Sequence, residues 1–261
     1  MTDLESITDD LFDEQEALDE VVATLSADDW SRPSPSPGWT VADQIGHLTY
    51  FDGTAALAIE NADAFRKSVD DLLLAEDGIE EATLFRRLEP DALLEQWREN
   101  RRALLDWTAT LTDTDRVPWY GPDMSAKSFV TARLMECWAH GTDVIDAVGG
   151  RRPPTRRLAH IARLGFITRG WSYINRGEPV PEDEVRVELD APDGDRWVFG
   201  PEDAAASVAG DAEQFCLVVT QRRNLDDTAL IVDGAPADDW LRKAQAFAGP
   251  ATDGPGKGER P

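Results

Sequence analysis

The stretch "VTARLMECWAHGTDVIDAVG", residues 130–149, places a glutamate and a histidine in a segment whose other residues are mostly apolar. The segment predicts a buried helix that begins at Ser128. Glu136 and His140 are four residues apart, so their side chains project one turn apart from the same side of that helix. Cys137 points about 100° away from Glu136 and is expected to pack in the core. The helix therefore presents two proton-binding side chains together.

Three further segments have the apolar spacing of amphipathic helices. A loop with prolines at positions 33, 35 and 37 separates the first from the second, which is capped by Thr40 with Asp43 three residues on. A shorter helical piece lies in the connection before the third, which begins with a proline. Four helices with one long connection predict a bundle. The segments, in chain order, are residues 4–27, 41–60, 62–74 (the shorter piece) and 90–112.

The pattern changes after residue 150. A helix is predicted over residues 155–174, and "VRVELDAPDGDRWVF" reads as a hairpin with its turn at Asp193 and Gly194. Helical stretches at residues 201–223 and 236–247 flank one more strand, "ALIVD". Helices and short strands in this order predict a small α/β domain.

The expected fold class is therefore α+β, with an N-terminal four-helix bundle followed by a small α/β domain. We expect the bundle over residues 1–150 and the α/β domain over residues 151–248. Residues 249–261, "GPATDGPGKGERP", have no apolar anchor and are predicted to be a disordered tail.

The charge of the chain is strongly negative. Its 51 acidic residues against 26 basic ones give a formal charge of −25 at pH 7. A phosphate backbone binds proteins largely through Lys and Arg, so neither nucleic acid nor an anionic membrane is an expected partner. A salt-rich cytoplasm and a high-GC genome both explain such an acidic composition.

The cysteines and the first residues indicate a cytoplasmic protein. Cys137 and Cys216 lie far apart in sequence and form no closely spaced pair, which favours reduced thiols. The start "MTDLESITDD" is acidic where a signal peptide would be basic, and no apolar run approaches the length of a membrane span. We therefore expect a soluble, cytoplasmic protein.

The chain has three histidines, His47, His140 and His160, and the first two lie on predicted bundle helices. With Glu136 they could form the first shell of a divalent ion such as zinc, leaving positions for water or substrate. Alternatively, Glu136 pairs with Arg133, His140 is a hydrogen-bonded core residue and His47 lies at the surface. Spacing alone leaves both interpretations open. His160, on an Arg-rich helix, is expected to be structural.

Two motifs carry a family resemblance. "SPGWTVADQIGHLTYFD", followed about ninety residues later by "ARLMECWAHGTDVIDAVG", resembles the mycothiol-dependent maleylpyruvate isomerase family over residues 4–150. The resemblance implies a DinB-like bundle in which His47, Glu136 and His140 bind a divalent metal, usually zinc. "WYGPDMSAKS", "FGPEDAA" and "QFCLVVTQRR" are similar to an uncharacterised metal-binding branch of this family. In that branch the C-terminal domain is labelled as wyosine-base-formation-like.

The resemblance also implies contacts from outside the bundle. The C-terminal domain of characterised relatives is a sterol-carrier-like module that supplies substrate contacts. Arg222 and Arg223 are candidates to hold an anionic substrate by charge-assisted hydrogen bonds. Alternatively, they neutralise Asp226 and Asp227 at the surface.

The implied function is a metal-dependent, thiol-dependent transferase or isomerase. The ion would bind a small thiol, mycothiol or another, that adds to a small electrophilic substrate. Trp119 and Tyr120 are candidates to line the mouth of the site, or else they pack the long connection. The alternative function is a non-catalytic protein that binds a metal or small ligand with the same fold. The sequence does not identify the substrate, the catalytic residues or the oligomeric state.

Overall fold

The computed structural model describes residues 3–74 and 82–260. The chain divides into two compact units, Met1–Gly150 and Arg151–Pro261. Within the described ranges, no helix combines the length and the apolar character that crossing a membrane requires.

The first unit is built mainly from helices. The helices are α1 Leu4–Val22, α2 Ala27–Trp30, α3 Val41–Glu60, α4 Ala62–Leu73, α5 Pro90–Thr108 and α6 Ala126–Val148, and the strands are β1 Arg116–Val117 and β2 Met124–Ser125. Strands β1 and β2 pair antiparallel within the connection that precedes α6. Helix α3 packs against α5 and α6, and α1 packs against α6.

Local capping explains where these helices begin. Thr40 and Asp43 form the full reciprocal capping box at α3, as the sequence predicts. The predicted start of α6 at Ser128 is wrong. Ser125 is the N-cap, and its side chain accepts a hydrogen bond from the backbone N–H of Ser128. The predicted first helix is also too long, because Ser26 starts a separate short helix with its own capping box.

An apolar core holds the bundle together. Leu18 of α1, Ile45 and Leu48 of α3, and Trp97 of α5 are fully buried in one cluster. Cys137 of α6 is buried in the same cluster, as its helical position predicts. Burial of a large aliphatic or aromatic side chain contributes about 1.5–3 kcal/mol relative to exposure. This packing fixes α3 against α6, the two helices that carry His47 and His140.

The second unit combines helices with a four-stranded sheet. The strand order is β4-β3-β5-β6, with β3 parallel to β5 and the other two pairs antiparallel. The elements are α7 Leu158–Ile167, α8 Arg169–Ile174, β3 Val185–Asp190, β4 Arg196–Phe199, β5 Ala206–Asp211, α9 Ala212–Val219, a 3₁₀ turn Leu225–Asp227, β6 Ile231–Asp233 and α10 Ala235–Lys243. A helical unit joined in sequence to a mixed sheet confirms the predicted α+β class.

The second unit contains the predicted hairpin but not the full helix predicted after it. Strands β3 and β4 pair as predicted, with Gly194 at a φ of 88° in the turn. The predicted helix over residues 201–223 is wrong in its first half, because residues 206–211 form β5 between β3 and β6. Ala206 and Val208 alternate with less buried residues and bury one face of that strand. Tertiary pairing overrides the helical propensity of the alanines.

The C-terminal segment makes polar contacts with other residues of the second unit. Arg176 donates to the Asp253 carboxylate, and the Asn224 side chain donates to the Pro255 carbonyl. The backbone N–H of Gly258 donates to Asp227.

Candidate metal centre

Helices α3 and α6 bring three ligand-type side chains to one point. His47, Glu136 and His140 each offer a ligand atom, and these atoms all lie within 4.8 Å of one another. The Glu136 Oε2 atom is 3.8 Å from His47 Nε2 and 3.1 Å from His140 Nε2. The two imidazole ring centroids are 4.3 Å apart.

This donor set fits a divalent ion. Ligand atoms about 2.0–2.1 Å from a tetrahedral zinc lie roughly 3.3 Å from each other. The Glu136 oxygen lies 3.1 and 3.8 Å from the two imidazole nitrogens, so small shifts would bring these atoms to that spacing. Two imidazoles and one carboxylate are the ligands of many catalytic zinc sites, which keep a fourth position open. The side chains of His47 and Glu136 are 19% and 21% exposed, so the cluster has an open side.

The electrostatics of the cluster favour the protonation states that a metal requires. Burial, followed by the charge of His140, lowers the pKa of His47 to about 4. Burial acts to raise the pKa of the Glu136 carboxyl, but its interactions with the His140 and His47 imidazoles outweigh burial and hold that pKa well below its ordinary value. Near pH 7 the cluster therefore offers a neutral imidazole and a carboxylate.

Residues around the cluster fix His140 in place. Its Nδ1 atom is 2.5 Å from the side-chain oxygen Oε1 of Gln44, a fully buried residue of α3. The Gln44 amide nitrogen donates to Ser34 Oγ at 2.8 Å, in the proline-rich loop. The Trp39 ring, from the same loop, stacks on His140 with centroids 6.0 Å apart.

The alternative in which Arg133 pairs with Glu136 does not match the observed contacts. Arg133 donates from Nε and Nη2 to Asp52 Oδ1, at 3.2 and 3.0 Å. His140 is buried, at 7% exposure, but it faces both Glu136 and Gln44. His160 lies on α7, which belongs to the second unit of the chain.

The two aromatic candidates lie in the first unit. The Trp119 ring stacks on Phe65 with centroids 5.6 Å apart, and the Tyr120 hydroxyl donates to Thr54 Oγ1. Both rings also contact Phe51, whose ring centroid is 4.5 Å from that of His47. The pair thus packs the connection and belongs to a set of aromatic rings that reaches the cluster.

The two arginine candidates lie in the second unit. Arg222 is buried, and its Nη1 donates to the Thr220 carbonyl. Arg223 donates to the carbonyl of Arg222 and also lines a cavity of about 110 Å³. Asp226, the proposed surface partner of this pair, accepts a hydrogen bond from Arg242.

Sequence reasoning missed two residues near the cluster. Gln44 lies one turn before His47, yet its partner His140 is 96 positions away. Asp52 binds Arg133 across 81 positions. The only local signal for either residue is a polar side chain on the apolar face of α3.

Comparison with known proteins bears on the whole chain. Residues 11–145 match the family described as mycothiol maleylpyruvate isomerase N-terminal domain, and residues 181–233 match the one described as wyosine base formation. Uncharacterized proteins from two strains of Mycobacterium tuberculosis, CDC 1551 and H37Rv, are each 44% identical over 251 residues. The matches cover 95% of this chain and 96% of each relative.

Two solved structures share the fold. One is a crystal structure of the mycothiol-dependent maleylpyruvate isomerase, with a TM-score of 0.59 and 17% identity, covering 85% of this chain and 92% of that one. The other is a histidine-to-alanine mutant of an enzyme of that name, with a TM-score of 0.59 and 15% identity, covering 91% and 98%. Together, the match over residues 11–145 and the 44% identical relatives show that the chain belongs to the mycothiol maleylpyruvate isomerase family.

Proposed function

We propose that the protein is a zinc-binding, thiol-dependent isomerase or transferase that acts on a small electrophilic substrate. The convergence of His47, Glu136 and His140 within 4.8 Å carries this proposal. The family supports the thiol cosubstrate, because the solved relatives are named as mycothiol-dependent maleylpyruvate isomerases. Mycothiol is the first thiol to test.

The three side chains would hold the ion, and the open side beside His47 and Glu136 would admit the thiol. A bound divalent ion lowers the pKa of a coordinated thiol, so that the reactive thiolate is present at neutral pH. Glu136 contributes a negative charge between two imidazoles, which balances part of the charge of the ion. The Trp39 ring stacks on His140, so one face of that ligand is apolar.

Other residues are proposed to contact the substrate. Phe51 adjoins His47 and packs against Trp119 and Tyr120, so these rings offer an apolar wall for the carbon skeleton of an electrophile. Arg222 and Arg223 are kept as candidates for an anionic group of the substrate, since charge-assisted hydrogen bonds to a carboxylate are strong. Of the two, Arg223 borders a cavity.

The proposed partners are small molecules. The chain carries a charge of −25, which opposes binding to nucleic acid and to anionic membranes. The match of residues 181–233 to the wyosine base formation family therefore adds no RNA substrate to this proposal. We propose that the protein acts in the cytoplasm, where low-molecular-weight thiols are kept reduced.

A turnover assay tests the proposal. The purified protein is loaded with zinc and supplied with mycothiol and maleylpyruvate, and product formation is followed for wild type, His47→Ala and His160→Ala. We expect turnover that requires both thiol and zinc, is lost in His47→Ala and is retained in His160→Ala. Zinc binding without turnover on a panel of thiols and electrophiles would favour the non-catalytic alternative. Absence of zinc binding would overturn the proposed function and would leave only a non-catalytic protein that binds a small ligand.

A further inference from the structure

We propose that Gln44 is a positioning residue that selects which nitrogen of His140 is available to a metal. This inference rests on the proposed function, since it concerns the same site. The observation behind it is a continuous hydrogen-bonded chain from Ser34 through Gln44 to His140.

The direction of this chain follows from the chemistry of the amide. A side-chain amide has one oxygen that only accepts and one nitrogen that only donates. The Gln44 nitrogen donates to Ser34 Oγ at 2.8 Å, and the Gln44 oxygen lies 2.5 Å from His140 Nδ1. An acceptor at that distance requires a proton on Nδ1. Nε2 is then the ring nitrogen that can present a lone pair toward Glu136 and His47.

Without Gln44 the same ring would favour the other nitrogen. A neutral imidazole carries one proton, and Glu136 Oε2 lies 3.1 Å from His140 Nε2. That carboxylate would attract the proton to Nε2 and block the atom that must bind the metal. Gln44 therefore favours a proton on Nδ1, whereas Glu136 favours a proton on Nε2. The Gln44 amide is fully buried, with an exposed fraction of 0%, so water does not replace it as the partner of Nδ1.

The loop that carries Ser34 is held firmly enough to fix the amide. The Ser34 backbone N–H donates to the Trp39 carbonyl at 2.7 Å, and the Trp39 N–H donates to the Ser36 carbonyl at 3.0 Å. Gly38 adopts a φ of 80° in this turn, a conformation that suits glycine. The Ser36 hydroxyl donates to Asp143 on α6. The proline-rich loop thus orients the Gln44 amide from one side and covers His140 with Trp39 from the other.

Nuclear magnetic resonance of the imidazole nitrogens tests this inference directly, because only three histidines contribute signals. Long-range ¹H–¹⁵N spectra of the metal-free protein report which nitrogen of His140 carries the proton, and competition titrations report zinc affinity. We expect a protonated Nδ1 in wild type. In Gln44→Met the proton should move to Nε2, and zinc affinity should fall by about 10- to 100-fold, the usual effect of losing such a partner.

Three more variants separate positioning from loss of structure. Gln44→Glu keeps an acceptor at Nδ1 and should retain both the protonated Nδ1 and most of the zinc affinity. Ser34→Ala releases the amide and should shift the proton in the same direction as Gln44→Met, by a smaller amount. Gln15→Met removes another fully buried amide, one that binds Asp52, and should leave the His140 proton unchanged.

The outcomes that test the role of Gln44 differ from those that test the proposed function. A proton on Nε2 in metal-free wild type, or an unchanged His140 spectrum in Gln44→Met, would overturn the role of Gln44 whether or not zinc binds. Failure of wild type to bind zinc, with the Nδ1 proton present and lost in Gln44→Met, would overturn the metal site and leave the role of Gln44 as a positioning residue intact.

Discussion

Two polar clusters lie on the same pair of helices, and the carboxylates at their centres have opposite kinds of partners. Asp52 of α3 accepts hydrogen bonds from Arg133 of α6, from Trp97 Nε1 and from Gln15 Nε2. Glu136 of α6 faces two imidazoles and an open side. The first cluster contains its own cation, whereas the second contains a carboxylate without an arginine or lysine partner in the described contacts.

The difference identifies which cluster is built for a ligand. The side chains of Arg133 and Asp52 are 4% and 1% exposed, so that pair is closed to solvent. Burial raises the pKa of the Asp52 carboxyl above its ordinary value, although Arg133 acts to lower it. The pair therefore adds little net stability while it is intact. The Glu136 carboxylate faces His47 and His140 instead, and a bound divalent cation would compensate its negative charge.

The largest expected effect is on metal binding. Glu136→Gln removes the only anionic ligand, so zinc binding should fall from about one ion per chain to none at micromolar zinc, a loss on the order of a thousandfold in affinity. Equilibrium dialysis with elemental analysis measures it. Glu14→Gln neutralises another buried glutamate, on α1, and should keep the ion. Equal binding by both variants would remove Glu136 from the site.

The second prediction concerns the closed pair. Arg133→Met leaves Asp52 buried without its cation, and breaking such a pair costs about 3–5 kcal/mol of unfolding free energy. The double variant Asp52→Asn/Arg133→Met removes both charges and should recover most of that loss. Urea denaturation of the two variants measures the difference. If the double variant is no more stable than Arg133→Met, the charge imbalance is not the cause.

Local patterns in the sequence place the three candidate ligands on helices, but they do not predict the residues around them. The spacing of Glu136 and His140 places them on one side of a helix, and the Thr40 capping box places His47 on the next helix. These features depend on residues three or four positions apart. Gln44 and Asp52 each act through a partner on a distant helix, so only the packed bundle reveals their roles.

The second unit also shows that local patterns predict local structure but not pairing between distant segments. The hairpin of β3 and β4 follows from alternation and an Asp-Gly turn, both of which are local. Strand β5 forms because it pairs with β3 on one side and β6 on the other. Its parallel pairing with β3 joins residues about twenty positions apart. Residues 206–211 are small and contain two alanines, so their own preference did not indicate a strand.

The third prediction extends the comparison to a carboxylate that has two cations. Asp19 accepts hydrogen bonds from Arg98 and from Arg101. Burial acts to raise its pKa, but the Arg98 hydrogen bond and the charges of both arginines lower it below the ordinary value. A lowered pKa stabilises the fold above about pH 4 and loses that contribution as pH falls through the folded-state value.

Asp19→Asn should therefore cost about 2 kcal/mol of unfolding free energy at pH 7, since hydrogen bonds to charged groups are worth about 1.5–3 kcal/mol. The gap between wild type and variant should narrow below pH 3.8. Urea denaturation at pH 7 and at pH 3 measures it. A gap of the same size at both values would show that lost packing, not the charge of Asp19, causes the destabilisation.

The smallest expected effect is the dependence of Tm on salt, which distinguishes surface charges from the charges of the metal cluster. Repulsion among the excess of 51 acidic over 26 basic residues destabilises the compact state at low ionic strength. The Debye length falls from about 30 Å at 0.01 M salt to about 3 Å at 1 M, so potassium chloride screens this repulsion. We expect the Tm of the metal-free protein to rise by several degrees, equivalent to about 1 kcal/mol or more.

The stabilisation by bound zinc should respond much less to the same salt, because the ion and its ligands interact over short distances and are largely shielded from solvent. The increment in Tm on adding zinc should therefore remain nearly constant between 0.01 M and 1 M potassium chloride, while the Tm of the metal-free protein rises. Thermal unfolding with and without zinc at both salt concentrations measures the two quantities separately. A Tm that stays level or falls with salt would show that the acidic surface is spread widely enough to be tolerated in dilute buffer. A zinc increment that collapses in 1 M salt would instead place the ion on the acidic surface and not between His47, Glu136 and His140.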